Sequence, residues 1–343
     1  MTDVRGVTAP PAELPTVDLR ADPGRLREGL RAAGHEVGFF YLTGHGVPPD
    51  LVTRVLDAAR RLFALPQRDK DAVAMVRSPH FRGYTRLGGE LTRGEVDWRE
   101  QIDVGPERPP IGGLDGSDFR WLQGPNQWPA ALPELAGIVA EWDAALSAVA
   151  RTLLQHWAAS LGSPSDVFDA AFADAPATLI KIISYPGRAA SAQGVGAHRD
   201  AGVLTLLLAE PGSTGLQVRP PGIGHSNGGW IDVPPREGAF IVNIGELLEV
   251  ATRGYLRATE HRVNLQGLAG GRISVPFFFN PRLDARIPVL SLPDELEARA
   301  QRVDDPSDPI FAVYGRNAWK SRLRAHPDVA AAHGYSAERL ENG

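Results

Sequence analysis

Two potential metal ligands stand one residue apart in the segment AHRDAGVLTLLL, which occupies positions 197–208. His198 supplies an imidazole and Asp200 a carboxylate, and an apolar run typical of a buried strand follows them. Because side chains alternate between the two faces of a strand, this spacing predicts that both ligands point the same way. Two ligands do not complete a site, and the third predicted ligand is His261 in ATEHRVNL, where a later strand is predicted to begin.

This set of two histidines and one carboxylate is compatible with two kinds of metal chemistry. Bound to one face of an octahedral ion it leaves three positions open, as non-haem Fe(II) oxygenases require for a co-substrate and O₂. The same ligand types also bind zinc, which supports hydrolysis through a bound water. A His-x-Asp pair is also common at surfaces and turns without any metal, so the three residues by themselves leave these interpretations open.

A receptor for an organic acid is predicted eleven residues after His261, in the segment GRISVPFFF. Arg272 and Ser274 are two residues apart on a predicted strand and therefore share a face. Arginine makes paired, charge-assisted hydrogen bonds to carboxylates, and a neighbouring hydroxyl adds another donor. An isolated arginine is usually a surface cation, but an unpaired charge is costly next to an apolar strand, and an anionic ligand would remove that cost.

Short strands and one long helix are predicted to position these residues. From about 178 to 280 the chain reads as short apolar runs, such as TLIKIISY, AFIVNI and RISVPFFF, separated by turn-like pieces. This pattern is typical of an antiparallel sandwich or barrel. Before it, apolar residues recur every three or four positions from Leu132 to Leu161, which predicts a helix with Pro133 in its first turn and Gly162 after its end.

The motifs and their order resemble the Fe(II)/2-oxoglutarate dioxygenases of the isopenicillin N synthase-like family. HRD, EHRV and RIS resemble the signature of that family. VGFFYLTGHGVP, KIISYPG, AFIVNIGELLEVATRGYLRATEHRVN and RISVPFFFNP resemble its longer segments in the same order, between about residues 15 and 290. The resemblance implies a mainly β fold with flanking helices around a double-stranded β-helix, which is the jelly-roll or cupin-like core. It also implies one oxygenase domain over 1–343, divided into an N-terminal helical and loop region (1–125), a long-helix region (126–175), the jelly-roll core (176–285) and a C-terminal wrap (286–343).

The resemblance also assigns roles to individual residues. The family's metal ligands fall on His198, Asp200 and His261, and its anchors for the C5-carboxylate of 2-oxoglutarate fall on Arg272 and Ser274. A carboxylate at the second ligand position differs from related halogenases, which have a small residue there, and so implies hydroxylation, desaturation or ring closure.

One further co-substrate contact departs from the family pattern. The family often has a tyrosine in an Asn-x-Tyr-Pro segment, and here the segment is ISYP, so Tyr185 matches while Ile183 replaces the asparagine. A tyrosine at a strand end is also commonly a packing residue, and Tyr185 is predicted as a co-substrate contact on the resemblance alone.

The implied reaction uses Fe(II), 2-oxoglutarate and O₂ to oxidise a C–H bond of a small-molecule substrate, with release of succinate and CO₂. Three alternatives stay open at this point. One is an isopenicillin N synthase-type oxidase that uses Fe(II) and O₂ without 2-oxoglutarate, and another is an ethylene-forming enzyme that fragments 2-oxoglutarate itself. The third is a non-catalytic cupin-like protein that binds metal.

Composition excludes several other classes and leaves the substrate open. The chain has no cysteine, which excludes thiolate metal sites and disulfides. The net charge of −5 without a basic block argues against nucleic-acid or membrane partners, and the N-terminus lacks an apolar signal core, so a cytoplasmic location is expected. HFRGY, DWRE and GRNAWKSR are candidate pocket segments, where Arg82 or Arg99 could pair with an acidic substrate or be structural. Oligomeric state is not predicted.

Overall fold

The computed structural model describes residues 13–187, 191–221, 229–266, 270–301 and 308–336. The strands are β1 (Thr16–Asp18), β2 (Phe39–Thr43), β3 (Gly83–Thr85), β4 (Glu90–Thr92), β5 (Glu95–Asp97), β6 (Glu100–Val104), β7 (Leu179–Tyr185), β8 (Gln193–His198), β9 (Leu204–Ala209), β10 (Leu216–Arg219), β11 (Ile231–Asp232), β12 (Phe240–Ile244), β13 (Glu260–Asn264) and β14 (Arg272–Phe279). The α-helices are α1 (Pro23–Glu36), α2 (Pro49–Ala64), α3 (Gln67–Asp71), α4 (Leu135–Ser160), α5 (Asp169–Phe172), α6 (Glu246–Ala251), α7 (Asp294–Glu297), α8 (Tyr314–Ala325) and α9 (Pro327–His333). Met75–Arg77 and Phe119–Leu122 are 3₁₀ turns.

Two sheets and a small hairpin, β4–β5, contain these strands. The larger sheet has the order β1-β2-β12-β9-β14-β7-β6-β3 and the smaller has the order β11-β10-β13-β8. From β7 to β14 the chain passes back and forth, with β7, β9, β12 and β14 in the larger sheet and the others in the smaller. This winding between two facing sheets is the jelly roll. The predicted fold class, mainly β with flanking helices, is therefore confirmed.

The two faces of the larger sheet pack against different partners. On β7, Ile180 and Ile182 belong to the apolar core that contains buried residues of α1, α2 and α4. The alternate residues Ile183 and Tyr185 belong to a second core with Val218 and other residues of the smaller sheet. This alternation is the pattern expected of a strand that is covered on both faces. Odd-numbered side chains of β7 therefore point into the space between the sheets.

The long helix α4 supports the larger sheet from behind. It begins at Leu135 and ends at Ser160, close to the ends predicted from its apolar repeat. Gly162 follows in the left-handed conformation with φ of 80°, which favours glycine and ends the helix. Trp157 packs edge-on against Phe40 and donates from Nε1 to the carbonyl of Leu30 at 2.9 Å, which ties α4 to both β2 and α1.

The C-terminal helix α8 lies at one end of the space between the sheets. Its buried Trp319 packs edge-on against Phe81, while Ala318, Ser321 and Arg322 line the cavity described below. No helix in the described ranges is both long and apolar enough to cross a lipid bilayer. Residues 1–12, on which the expectation of a cytoplasmic location depended, lie outside the described residues.

Candidate metal and co-substrate site

Three predicted ligands meet beside the smaller sheet, at the edge of the space between the sheets. His198 is the last residue of β8, and the pairing of β8 with β13 places it opposite His261. Oδ1 of Asp200 lies 3.6 Å from Nε2 of His198 and 3.7 Å from Nε2 of His261. One nitrogen or oxygen atom of each residue therefore lies within 4.8 Å of the others, a spacing that suits ligands of one divalent ion.

The reason for this convergence differs from the sequence prediction. Strand alternation was predicted to put His198 and Asp200 on one face, but β8 ends at His198 and β9 begins only at Leu204, so that prediction of a continuous strand is wrong. Asp200 lies in the connecting turn, where its carbonyl accepts a hydrogen bond from the backbone N–H of Glu246 at 2.7 Å. The contact with the start of α6 holds the turn, and through it the carboxylate, beside the two histidines.

Backbone carbonyls orient both imidazole rings. Nδ1 of His198 lies 2.8 Å from the carbonyl oxygen of Gly196, and Nδ1 of His261 lies 3.1 Å from that of Thr259. Because a carbonyl can only accept a hydrogen bond, Nδ1 carries the proton in each ring and Nε2 keeps its lone pair. The two lone pairs thus face the Asp200 carboxylate, which is the arrangement in which histidine binds a metal.

Two side chains from the larger sheet hold the Asp200 carboxylate. Its Oδ2 atom accepts hydrogen bonds from Oγ1 of Thr205 at 2.5 Å and from Nδ2 of Asn243 at 2.7 Å. All three residues are buried. These bonds occupy one oxygen of the carboxylate and leave Oδ1 directed toward the histidines, so the carboxylate is set up to bind a metal through one oxygen.

The protonation states of the site also suit a metal. Burial lowers the pKa of His198 to about 4, and the neighbouring His261 adds to this effect. Burial opposes ionisation of Asp200, but the positive charge that the two imidazoles carry when protonated and the hydrogen bonds from Thr205 and Asn243 outweigh it, so the pKa of this carboxyl is held below its ordinary value. A neutral imidazole at His198 and an ionised carboxylate are the forms that metal binding requires.

We expect Asn243→Leu to weaken metal binding by roughly 10- to 100-fold, the usual effect of removing an outer partner of a metal ligand. Without the amide, the Asp200 carboxylate loses one of the two donors that fix its orientation. Equilibrium titration with Fe(II) under argon measures the change. Asn264→Leu is the matched control, because this asparagine accepts from the backbone of Gln266 and does not line the cavity. Equal weakening in both variants would contradict a role for Asn243 at the site.

The predicted acid receptor lies on the larger sheet across the cavity. Arg272 and Tyr185 are opposite each other in the β14–β7 pair, and the guanidinium carbon lies 4.9 Å from the centre of the tyrosine ring. Arg272 donates from Nη1 to the carbonyl of Thr214 at 2.9 Å, whereas its buried Nε has no hydrogen-bond partner in the described part of the chain. Ser274, also buried, is two residues further along the same face.

No carboxylate of the described residues lies within ion-pair distance of Arg272, and burial lowers the pKa of its guanidinium. A buried cation in this state is destabilising until an anion binds to it. The unpartnered Nε and the missing counter-ion therefore fit the carboxylate of an organic acid.

A cavity of about 1100 Å³ connects the acid receptor with the metal ligands and with α8. Its far wall carries Glu90, Arg99, Lys181 and Arg322, which we call the charged wall. Nζ of Lys181 lies 2.6 Å from Oε1 of Glu90, and Nη2 of Arg99 lies 3.0 Å from Oε2 of the same carboxylate. All four residues are buried. Of the two arginines singled out from the sequence, Arg99 therefore lines the cavity, whereas the buried Arg82 bonds the carbonyl of Leu122 and does not line it.

Burial of His326, which lies 3.7 Å from Glu90 of the charged wall, predicts a pH dependence of stability. Burial lowers the pKa of His326 to about 4. Between pH 6.5 and about 4 the unfolded chain therefore binds a proton here that the folded chain does not. This contribution to stability is complete above pH 6.5 and is lost as the pH falls toward about 4.

We expect His326→Asn to reduce the decline of the free energy of unfolding between pH 7 and pH 5, measured by urea denaturation. The other histidines contribute equally in both proteins, so the difference between the two pH profiles isolates His326. Parallel profiles would contradict the prediction.

Residues that the sequence analysis did not select also take part in these contacts, among them Thr205, Asn243 and Lys181. Lys181 and Asn243 stand inside the apolar runs LIKIISY and FIVNI, where a polar side chain needs a partner. That signal was present in the sequence. Thr205 gave none, because threonine is an ordinary strand residue.

Comparison with known proteins identifies the family. The non-haem dioxygenase N-terminal family matches residues 14–131, and the 2OG-Fe(II) oxygenase superfamily, where 2OG is 2-oxoglutarate, matches residues 178–281. The 2-oxoglutarate-dependent dioxygenase frbJ of Dothideomycetidae sp. is 33% identical over 92% of this chain and 90% of its own length. The chain belongs to the 2OG-Fe(II) oxygenase superfamily.

This chain is also similar to other 2OG-Fe(II) oxygenases in sequence and in structure. Homoarginine-6-hydroxylase 2-ODD-C23 of Glycine max is 32% identical, over 87% of this chain and 89% of its own length. The crystal structure of a 2OG-Fe(II) oxygenase family protein from Caulobacter crescentus matches with a TM-score of 0.71 and 27% identity, over 91% of this chain and 98% of that one. The protein is therefore an oxidoreductase that depends on iron and 2-oxoglutarate, as predicted, and the prediction of a jelly-roll oxygenase is confirmed.

Proposed function

We propose that His198, Asp200 and His261 bind the iron of this oxygenase. The observation that carries the proposal is the convergence of two Nε2 lone pairs and one carboxylate oxygen, each fixed by a hydrogen bond on its other side. Three ligands on one side of the ion leave the opposite side open toward the cavity, where a co-substrate and O₂ can bind. The donor set, two neutral imidazoles and one carboxylate without a thiolate, suits Fe(II).

We infer that 2-oxoglutarate binds between the metal and Arg272. The guanidinium and the Ser274 hydroxyl hold the C5-carboxylate, and the ring of Tyr185 stacks on the guanidinium and limits its movement. The other end of the diacid then points across the cavity to the metal ligands. When bound, iron and 2-oxoglutarate supply the oxidising power for C–H cleavage and yield succinate and CO₂.

The substrate is a small molecule that occupies the remaining cavity, and the reaction is a hydroxylation. A cavity of about 1100 Å³ has room for a second small molecule beside the diacid. Apolar side chains beside the metal ligands, among them Leu207, Val195 and Val263, keep water from the reacting carbon. The Asp200 carboxylate argues against halogenation, and the hydroxylase name of the Glycine max relative supports hydroxylation over desaturation and ring closure.

Anaerobic titration tests this function first. Addition of 2-oxoglutarate to the Fe(II) protein is expected to produce a visible charge-transfer band, and admission of O₂ is expected to yield succinate. Mass spectrometry then separates hydroxylation, which adds one oxygen atom to the substrate, from desaturation or ring closure, which removes two hydrogens. Absence of both the band and succinate would contradict the proposal.

A further inference from the structure

The Lys181 and Arg322 end of the charged wall is not used by iron or 2-oxoglutarate as placed above, whereas Arg99 at its other end contacts Tyr185 of the acid receptor. Lys181 and Tyr185 share a face of β7 and are four residues apart, which is roughly 13 Å along a strand. Tyr185 is beside Arg272, so Lys181 lies far from the acid receptor. A five-carbon diacid that is anchored at Arg272 and reaches the metal ligands does not extend to Lys181 as well. Lys181, and Arg322 beside it, therefore face the part of the cavity that is left for the substrate.

Two cations of the wall share a single carboxylate oxygen. Oδ2 of Asp103 lies 3.4 Å from Nζ of Lys181 and 2.5 Å from Nη1 of Arg322. Lys181 also donates to Glu90, which leaves it one N–H donor. Arg322 has one hydrogen bond, to Asp103, and its other donors have no partner among the described residues. Neighbouring cations with unused donors form a receptor for an anion.

The balance of charge in the cavity agrees with this. Among the described residues that line it, eight are arginine or lysine and five are aspartate or glutamate. One of these carboxylates, Asp200, faces the iron. Asp97 and Asp103 lie behind the wall and do not line the cavity. Counting them, the cavity as a whole keeps a small excess of cations, whereas Arg99, Lys181 and Arg322 are matched by Glu90, Asp97 and Asp103. The excess of the whole cavity favours entry of an anion, and the unused donors of Lys181 and Arg322 decide where it binds.

We propose that the substrate carries a carboxylate that binds to Lys181 and Arg322, with its apolar part against Leu179, Pro276 and Phe278 on the way to the metal ligands. This inference rests on the proposed function, because it concerns the substrate of that site. Arginine binds a carboxylate through paired donors, and the lysine ammonium adds a third. Glu90 and Asp103 hold the two cations in place and leave hydrogen-bond donors of both unused.

A paired substrate screen tests the charge requirement. Succinate formation is measured with Fe(II), 2-oxoglutarate and a library of carboxylic acids, α-amino acids included, each compared with its primary amide. We expect stimulation above the substrate-free rate by members of the acid set and none by the matching amides. An amide that stimulates as well as its acid overturns the proposal, and so does a library in which no acid stimulates.

Variants of the two cations test their assignment. Arg322→Gln and Lys181→Gln are each expected to raise the KM for the stimulating acid roughly 10- to 100-fold, as for loss of a charged hydrogen bond. Arg322→Lys keeps the pair with Asp103 but loses the paired donors, so its KM should be intermediate; this variant also serves if Arg322→Gln does not fold. Arg120→Gln is the matched control, since Arg120 forms an exposed pair with Asp118 outside the cavity. An unchanged KM in both wall variants overturns the assignment.

Experiments can distinguish a failure of the carboxylate receptor proposal from a failure of the proposed function. The anaerobic titration with 2-oxoglutarate reports on the metal and co-substrate site without any substrate. If the wild-type protein gives neither the band nor succinate, the proposed function is wrong. If it gives both, but amides stimulate as well as acids, only the carboxylate receptor is wrong.

Discussion

Asp200→Ala is expected to lower 2-oxoglutarate-dependent succinate formation by more than roughly 100-fold. Loss of an outer partner of a metal ligand already costs 10- to 100-fold, and this change removes the ligand itself. The alanine also leaves the buried donors of Thr205 and Asn243 without their acceptor, at about 1–3 kcal/mol each. Fe(II) titration and succinate release are the two measurements.

The loss of stability must be separated from the loss of iron. Asp232→Ala provides the comparison, because Asp232 accepts a hydrogen bond from Gln217 at 2.9 Å on the outer part of the smaller sheet. It is expected to lower the unfolding midpoint slightly and to leave iron binding unchanged. If Asp200→Ala remained folded and kept its turnover, the convergence of His198, Asp200 and His261 would not be the iron site.

Sequence periodicity predicted the positions of side chains well where a strand is covered on both faces. On β14 the two-residue spacing placed Arg272 and Ser274 on one face, and both line the cavity. The rule works there because one face of the sheet packs on helices and the other on the second sheet, so that a register shift would bury the wrong side chains. The apolar repeat of α4 predicted the helix because one side of the helix packs on the core that includes the larger sheet.

The same rule failed at His198 and Asp200, although their convergence was predicted. The chain turns after His198, and the shape of that turn depends on hydrogen bonds to α6, which begins 46 residues after Asp200, at Glu246. Contacts between distant segments are not visible in local periodicity. The ligand types and their spacing in sequence were informative, whereas the assumed continuous strand was not.

The charged wall could not be predicted from the sequence either, because its ion pairs join residues that are far apart in the chain. Asp103 and Arg322 pair across 219 residues, and nothing near either of them indicates the partner. Lys181 in an apolar strand did indicate that some acid must lie nearby. The sequence could thus predict that a partner exists but not that it is Glu90, or that the pair would face a cavity.

Arg272→Gln is expected to raise the concentration of 2-oxoglutarate needed for half-maximal turnover roughly 100-fold. A buried charged pair costs about 3–5 kcal/mol when one partner is removed, and glutamine restores part of this by donating one hydrogen bond. For Arg272→Lys the half-maximal 2-oxoglutarate concentration should lie between those of the wild type and Arg272→Gln. The lysine keeps the charge but loses the paired donors and the stacking on Tyr185. Steady-state succinate formation against 2-oxoglutarate concentration measures both.

Arg219→Gln controls for charge loss in the same cavity, since Arg219 pairs with Glu260 and stacks on Trp230 away from Arg272. Its 2-oxoglutarate dependence should match the wild type.

The result for Arg272→Gln that would contradict the prediction is also informative. An unchanged 2-oxoglutarate requirement, together with a raised KM for a carboxylate-bearing substrate, would mean that Arg272 binds the substrate's own acid group and that 2-oxoglutarate is anchored elsewhere in the cavity. The carboxylate receptor at Lys181 and Arg322 would then need another occupant, so this one variant decides which wall of the cavity binds which acid.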